Sequence, residues 1–257
     1  MPESDYIIRY ISLGKLIEML DSCTLHLGRI DLFEDKTEGE WYAHLAMAAG
    51  KAFYEWKAAH DNEDNDATPQ NEDELIEKIR SLKQRSYISS WFSSDYLSIA
   101  MWKLYGLTDE GIAIRVRKDR LKNLHQINKE YLDSLNAEVL FSHVIYVDDN
   151  EEEVKKIIDK NAGHKGWFKF RNLLLKHKAY KFEEEYRMSV ILPPTETEQP
   201  YGLRLSIGEN LNDFIDTIYL NPLIHSKHWY IKVIKKVMSV FGIASEKLNL
   251  AEIRTSL

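Results

Sequence analysis

The segment Phe182-Glu183-Glu184-Glu185-Tyr186-Arg187-Met188 concentrates residue types that do chemistry. Tyr180, Phe182 and Tyr186 stand around its charges, so these interrupt an otherwise apolar stretch. As a strand it sends alternate side chains to opposite faces. Glu183, Glu185 and Arg187 then share one face, and Phe182, Tyr186 and Met188 the other. Two carboxylates about 7 Å apart along a strand, backed by a guanidinium, can bind and polarise a substrate. The same spacing also serves as a solvated ladder of charges.

Two other segments carry candidate chemistry. Ile8-Arg9-Tyr10 places an arginine beside a core strand. An unpaired buried guanidinium is costly, so Arg9 needs an anionic partner; a structural ion pair or a snorkelling edge position answers that need as well as a ligand does. Tyr87-Ile88-Ser89-Ser90-Trp91-Phe92-Ser93-Ser94-Asp95 is followed by Met101-Trp102-Lys103-Leu104-Tyr105. Small hydroxyls at a strand end, with Trp91, Trp102 and Tyr105 nearby, make a polar floor under an aromatic slot suited to a planar heterocycle. Core aromatics and turn-forming serines give the same pattern.

Other signals are weaker. Lys155, Lys156, Lys165, Lys169, Arg171, Lys176 and Lys178 lie beside Trp167 and Phe168, but such a stretch is more often a solvated helix face than a nucleic-acid contact. Among the histidines only His225 and His228 have helical spacing, without a carboxylate or cysteine at zinc distance, so no metal is expected. Cys23 has no nucleophile signature, and no glycine-rich phosphate loop is present.

The bulk numbers set limits. A chain of 257 residues suffices for one large domain. A net charge of −7 argues against coating nucleic acid by bulk electrostatics. There is no apolar run long enough to span a membrane, and Met1-Pro2-Glu3-Ser4-Asp5 lacks the apolar core of a signal peptide. With a single cysteine, these features predict a cytoplasmic protein without a membrane partner.

The elements that must position the candidates follow from periodicity. Strands are expected over Tyr6–Tyr10, Thr24–Leu27, Tyr87–Phe92, Ile112–Val116, Phe141–Val147, Leu203–Ile207 and Thr217–Leu220. The carboxylate strand runs to Leu192 and stops at Pro193-Pro194. Helices are expected after Ser12, from Thr37 to about His60, from Glu72 to about Arg85, over Leu97–Tyr105, from Lys118 to about His125, after Asp148 and on to about His177, and over Ser226–Phe241. Residues 61–70 form an acidic loop, expected to be mobile. The whole reads as one α+β domain over 1–257, with a mixed or mainly antiparallel sheet flanked by helices.

In this order the landmarks resemble a bacterial and phage family catalogued as domain of unknown function 2971. The matching pieces are Tyr6 to Tyr10; Arg29-Ile30-Asp31-Leu32-Phe33-Glu34-Asp35 with Glu38-Gly39; Ser90-Trp91; Met101-Trp102-Lys103-Leu104-Tyr105 with Gly111 to Ile114; Glu183, Glu185 and Arg187; and Ile218, Pro222 and Trp229. More loosely, Arg9, then Ser89-Ser90-Trp91, then Glu183-Glu184-Glu185 resemble the arginine, serine strand and Glu-x-Glu of toxin-type ADP-ribosyltransferases. In that family the Glu-x-Glu sits at a loop-to-strand junction.

The second resemblance implies an ADP-ribosyltransferase-like fold and an enzyme that consumes NAD as substrate. ADP-ribose would pass to a macromolecular acceptor, protein or nucleic acid, in a toxin or phage-defence setting. Glu185 would hold a ribose hydroxyl and stabilise the oxocarbenium-like charge, and Glu183 would orient or deprotonate the acceptor. Arg9, with Tyr10 beside it, would grip the pyrophosphate and Ser90 would brace the site. Trp91, Trp102 or Tyr105 would stack nicotinamide, and Arg187 would keep the glutamates ionised. Two alternatives stay open: a non-catalytic regulatory protein binding a nucleotide or peptide in the same cleft, and a metal-dependent phosphodiesterase using Glu183 and Glu185.

Overall fold

The computed structural model describes residues 4–40, 72–106, 110–148, 172–222 and 228–250, together with 152, 156 and 170. The acidic loop at 61–70, and the helix expected beyond residue 40, lie outside these residues.

Strand β1 (Tyr6–Ile11) alternates cleanly. Ile7 and Ile11 join the main core, whereas Ile8 and Tyr10 enter a smaller cluster on the opposite face with Phe92, Met101, Trp102 and Ala113. Ser12 then caps helix α1 (Leu13–Ser22) by accepting from the Lys15 amide at 3.3 Å. Leu16, Met19 and Leu20 are buried at helical spacing, and the helix ends at Cys23, which adopts the left-handed conformation. Each such side chain, fully buried, contributes about 1.5–3 kcal/mol by leaving water.

β2 (Thr24–Arg29) leads into a short turn over Ile30–Leu32, and α2 (Glu72–Gln84) precedes β3 (Ser86–Phe92). Residues 37–40 form a turn rather than the start of a helix, because the Asp35 carboxylate accepts from both the amide and the hydroxyl of Thr37. Helix α3 (Ile99–Tyr105) is capped by Ser98 and followed by β4 (Ile112–Arg117), α4 (Lys118–Ile127) and α5 (Lys129–Ser134).

The strand expected over Phe141–Val147 is two strands, β5 (Glu138–His143) and β6 (Ile145–Val147), in separate sheets. Between them the Val144 amide donates to the Glu185 carbonyl at 2.9 Å as the last rung of the β5–β8 ladder, and the Glu185 amide turns instead to Tyr146 Oη, where the pairing stops. The helix expected to reach His177 instead gives way to β7 (Leu175–His177), the parallel partner of β6. A 3-10 helix over Lys178–Glu183 precedes β8 (Glu185–Ile191). Then come β9 (Gly202–Ser206), α6 (Leu211–Phe214), β10 (Thr217–Leu220), α7 (His228–Val240) and β11 (Leu248–Leu250).

The larger sheet runs β11-β10-β4-β1-β3-β2-β9, with β8 also on β3 and β5 on β8. It is antiparallel except for the β10–β11 pair. The fold is therefore α+β, with a mostly antiparallel sheet and flanking helices. One edge of β3 is shared by two strands: β2 pairs at Tyr87 and Ile88, and β1 only at Phe92. Around Ser89, Ser90 and Trp91 the two neighbours diverge, and the sheet is split.

Candidate functional site

A cleft of about 850 Å³ opens at this split. Arg9 from β1, Ser90 from β3, Tyr105 from α3 and Glu183, Glu185 and Arg187 from around β8 all line it. The candidates from the start, middle and end of the chain thus converge on one concavity.

Arg9 occupies one end. Alternation puts it on the core face with Ile7 and Ile11, but in the gap its Nη1 donates to Ser89 Oγ at 3.1 Å and its guanidinium lies 5.7 Å from the Trp91 ring. Among the described residues no carboxylate pairs with it. Burial accordingly pushes the guanidinium down to about 10. His26 and Lys15 line the same end, and burial together with the Arg9 charge holds the His26 imidazole below its ordinary value. This end is cationic, and among the described residues no carboxylate pairs with Arg9.

The other end is a closed ionic network. Lys176 Nζ donates to Glu183 Oε2 at 2.5 Å and Glu185 Oε1 at 2.7 Å, and lies 3.3 Å from Glu38 Oε2. Its ammonium also faces the Tyr180 ring at 4.7 Å. Arg187 grips Glu185 through two bonds, Nε to Oε2 at 2.7 Å and Nη2 to Oε1 at 3.0 Å, and Nη1 donates to the Leu173 carbonyl at 2.6 Å. Glu38 Oε1 lies 2.8 Å from Arg187 Nη1, off line for a hydrogen bond. Tyr105 Oη donates to Glu183 Oε1 at 2.6 Å.

The local chain explains how both glutamates reach one ammonium. Glu183 ends the 3-10 helix, Glu184 turns through the left-handed region (φ 38), and the strand starts at Glu185. The expected single strand through Glu183 is corrected: the Glu-x-Glu sits at a turn-to-strand junction. Phe182, placed on the core face by alternation, is instead exposed, while Tyr186 and Met188 enter the core as expected. The Glu185 amide donates to Tyr146 Oη at 2.9 Å, which fixes the first residue of the strand.

The environment splits the two carboxyls. Burial and the hydrogen bond to Glu185 raise the Glu183 carboxyl, Lys176 and Tyr105 offset only part of this, and it is pushed up to about 7. Burial also opposes the charge on Glu185, but Arg187 and then Lys176 hold it well below the usual carboxylate range. The pair therefore titrates in two separated steps, with the proton on the Glu183 side. Lys176, despite burial, is kept charged by Glu185 and Glu38. Such a split of pKa values is what a paired acid–base site requires. Arg187 bonds to Glu185 and holds it ionised, whereas the hydrogen bonds to Glu183 come from Lys176 and Tyr105.

The aromatic candidates fare differently. Tyr10 lines the cleft and accepts from the Ser98 amide at 2.9 Å, which anchors the start of α3; burial pushes its hydroxyl up to about 12. Trp102 is packed edge-on against Tyr10 with ring centroids 4.8 Å apart, and Trp91 is buried in the main core with Nε1 donating to Ser89 Oγ at 3.0 Å. Neither indole offers an open face for stacking; Tyr105 is the exposed ring of the three. The hydroxyl that touches Arg9 belongs to Ser89, whereas Ser90 sits opposite Arg187 across the β3–β8 pair.

Sequence reasoning missed Lys176 and Glu38 as site residues. Composition places Lys176 in a solvated basic face, but a three-residue strand turns it into the carboxylates. The available signal for Glu38 was its place in the Glu38-Gly39 landmark. Among the described residues no group of three or more His, Cys, Asp and Glu could hold a metal ion. The oxygens of Glu183 and Glu185 are engaged by an ammonium, a guanidinium and a phenol, which a metal would have to displace.

Comparison with known proteins gives one family. The family described as "Protein of unknown function (DUF2971)" matches residues 101–188. That span contains Met101-Trp102-Lys103-Leu104-Tyr105, Gly111 to Ile114 and the Glu183-to-Arg187 motif, so the resemblance read from these landmarks holds there. No curated protein and no solved structure is found to match the chain. Among the described residues no helix is long and apolar enough to cross a membrane.

Proposed function

We propose that this cleft binds NAD, breaks its nicotinamide–ribose bond and transfers ADP-ribose to a macromolecular acceptor. The observation that carries the proposal is the convergence of Arg9, Ser90, Glu183 and Glu185 on one cleft whose cationic end, among the described residues, has no carboxylate paired with Arg9 and whose acidic end holds carboxyls of opposed proton affinity. The turn-to-strand placement of the Glu-x-Glu adds to the resemblance to toxin-type ADP-ribosyltransferases.

Each residue then has a role. Arg9 grips the pyrophosphate, which supplies the counter-charge it lacks. Ile8, Phe92 and Glu185 stand in one row across β1, β3 and β8, so Arg9 and the glutamates are two strand spacings apart, roughly 10 Å. A dinucleotide spans that distance. The C1′–N bond breaks with its electron pair leaving on nicotinamide, whose ring charge is thereby neutralised. Positive charge develops on the ribose and is stabilised by Glu185. The acceptor forms the new bond to C1′ and gives its proton to Glu183. A toxin or phage-defence effector is the setting that suits such an NAD-consuming activity.

Nicotinamide release from NAD, followed by chromatography with water and cell extract as acceptors, tests this. Wild type should release nicotinamide, and Glu183→Gln and Arg9→Met should each lose at least about tenfold. Absence of release from wild type, or release unchanged in both variants, refutes the proposal.

One observation favours a second reading, a non-catalytic nucleotide-binding regulator. Glu185 already accepts three bonds from Lys176 and Arg187, which leaves little capacity for a ribose hydroxyl. On that reading calorimetry records NAD or ADP-ribose binding that Arg9→Met abolishes, while no nicotinamide appears.

A further inference from the structure

We propose that Lys176 is a positioning residue of this site: its ammonium, carried on the separate β6–β7 sheet, holds the Glu183 carboxylate beside Glu185 and makes Glu183 available as a proton acceptor. The role assigned to Glu183 here rests on the NAD-cleaving reading above.

The geometry is specific. Glu183 has two hydrogen-bond donors from other elements, Lys176 from β7 and Tyr105 from α3. Arg187 is committed to Glu185, Glu38 and the Leu173 carbonyl. Three carboxyls, Glu38, Glu183 and Glu185, thus face two cations, and only Lys176 touches all three. Among the described residues the other groups at this end are the phenols of Tyr146 and Tyr180, which feel the Glu183 charge but supply none of their own at neutral pH, and the Asp35 carboxylate, which acts on Lys176 and Tyr180 and supplies no cation to Glu183. Without Lys176, an ionised Glu183 would face Glu185 with no cation in contact, in a setting where like charges exclude each other. It would keep its proton and could not accept another. Lys176 lies in the wall between the cleft and an adjoining cavity of about 350 Å³, so it reaches Glu183 from the side rather than from the substrate's space.

The test is a titration of the Glu183 carboxyl by carbon-13 NMR in the full chain, for wild type, Lys176→Met and Lys176→Arg, beside the pH profile of nicotinamide release. In Lys176→Met the Glu183 titration should move up by at least about one pH unit, and the acid limb of the activity profile should move with it. Lys176→Arg, which keeps the charge, should restore both towards wild type. A folded Lys176→Met whose Glu183 titrates as in wild type overturns the proposal. Should neither variant fold, the nitrogen-15 signal of the Lys176 ammonium in wild type must shift over the same pH range as Glu183; a flat signal overturns the proposal equally. Titration coupling without nicotinamide release removes the NAD reading and leaves the Lys176–Glu183 coupling standing. Release with an unshifted titration does the reverse.

Discussion

Two arginines line this cleft, and removing them should have opposite effects on stability. Arg187 is 1% exposed and holds two buried carboxylates. Replacing it by methionine leaves both carboxylates to share Lys176 with Glu183, and breaking a buried pair from one side costs about 3–5 kcal/mol. Arg9 has no carboxylate partner among the described residues. Burial moves it from 12.5 to about 10, which at about 1.4 kcal/mol per pKa unit is a cost near 3 kcal/mol on the charged form. The Ser89 bond, the Trp91 ring and partial solvent contact offset much of this, and methionine retains the packing of the stem. Arg9→Met should therefore leave stability unchanged or raise it by about 1 kcal/mol. The same variant should lose anion binding. If the cleft takes ADP-ribose as proposed, the ligand at 100 times its Kd should stabilise wild type by about 2.7 kcal/mol, a gain that should largely vanish in Arg9→Met. Urea denaturation of the three proteins, with and without ADP-ribose, measures all of this. If Arg9→Met unfolds as easily as Arg187→Met, Arg9 is a structural residue and the anion site is lost from the argument. Undiminished stabilisation by ADP-ribose would have the same force.

Glu183 should leave a mark on the pH dependence of stability. Its folded value, about 7, is raised above the ordinary 4.5, so the folded state takes up the proton first; its contribution is complete below about pH 4.5 and is lost as pH rises through 7. Glu185 works the other way, adding stability above the ordinary carboxylate range and losing it as pH falls. Glu183→Gln should abolish the decline between pH 5 and 7, a change of about 1–3 kcal/mol seen in urea midpoints across pH; an unaltered slope would count against the carboxyl pair. Gly28→Ala probes the wall of the cleft. A Cβ there would lie 2.8 Å from Phe33 Cε1, so the ring, which lines the cleft, must move. A loss of about 1–3 kcal/mol, with weaker ADP-ribose binding by calorimetry, is expected; a variant matching wild type in both would show that the ring does not shape the cleft.

Strands were the most legible part of the fold, since the β-branched and aromatic runs at Tyr6 to Ile11 and Ile112 to Val116 favour a strand on both buried faces. Ser12 announced its helix for the same local reason. Legibility failed where tertiary contacts overrule local pattern. Nothing in Phe141 to Val147 marks the break at Val144, where the ladder with β8 stops because the Glu185 amide is taken by the Tyr146 hydroxyl. Lys176 carries the composition of a solvated helix, and only pairing with β6 makes it a strand residue. Trp91 and Trp102 look like a stacking slot in one dimension; in three, both indoles are buried, Trp102 against Tyr10 and Trp91 between core neighbours and the Arg9 guanidinium.

The split between β1 and β2 is the feature on which the site depends. By alternation Arg9 belongs to the core face of its strand, and Glu185 and Arg187 to the other face of theirs, because Ile8 lies opposite Phe92 and Phe92 opposite Glu185. In a continuous sheet these groups would be separated by the backbone, and a guanidinium among Ile7, Ile11 and Trp91 would be an uncompensated charge in the core. Divergence of the strands beside Ser89 and Ser90 opens a passage through which Arg9 joins the cleft. The cost of breaking sheet pairing at that point is offset by no apolar burial at Arg9, which carries a charge without a counter-charge. A charge that its strand's alternation places on the core face, against its own solvation, is of the kind expected where stability yields to ligand binding.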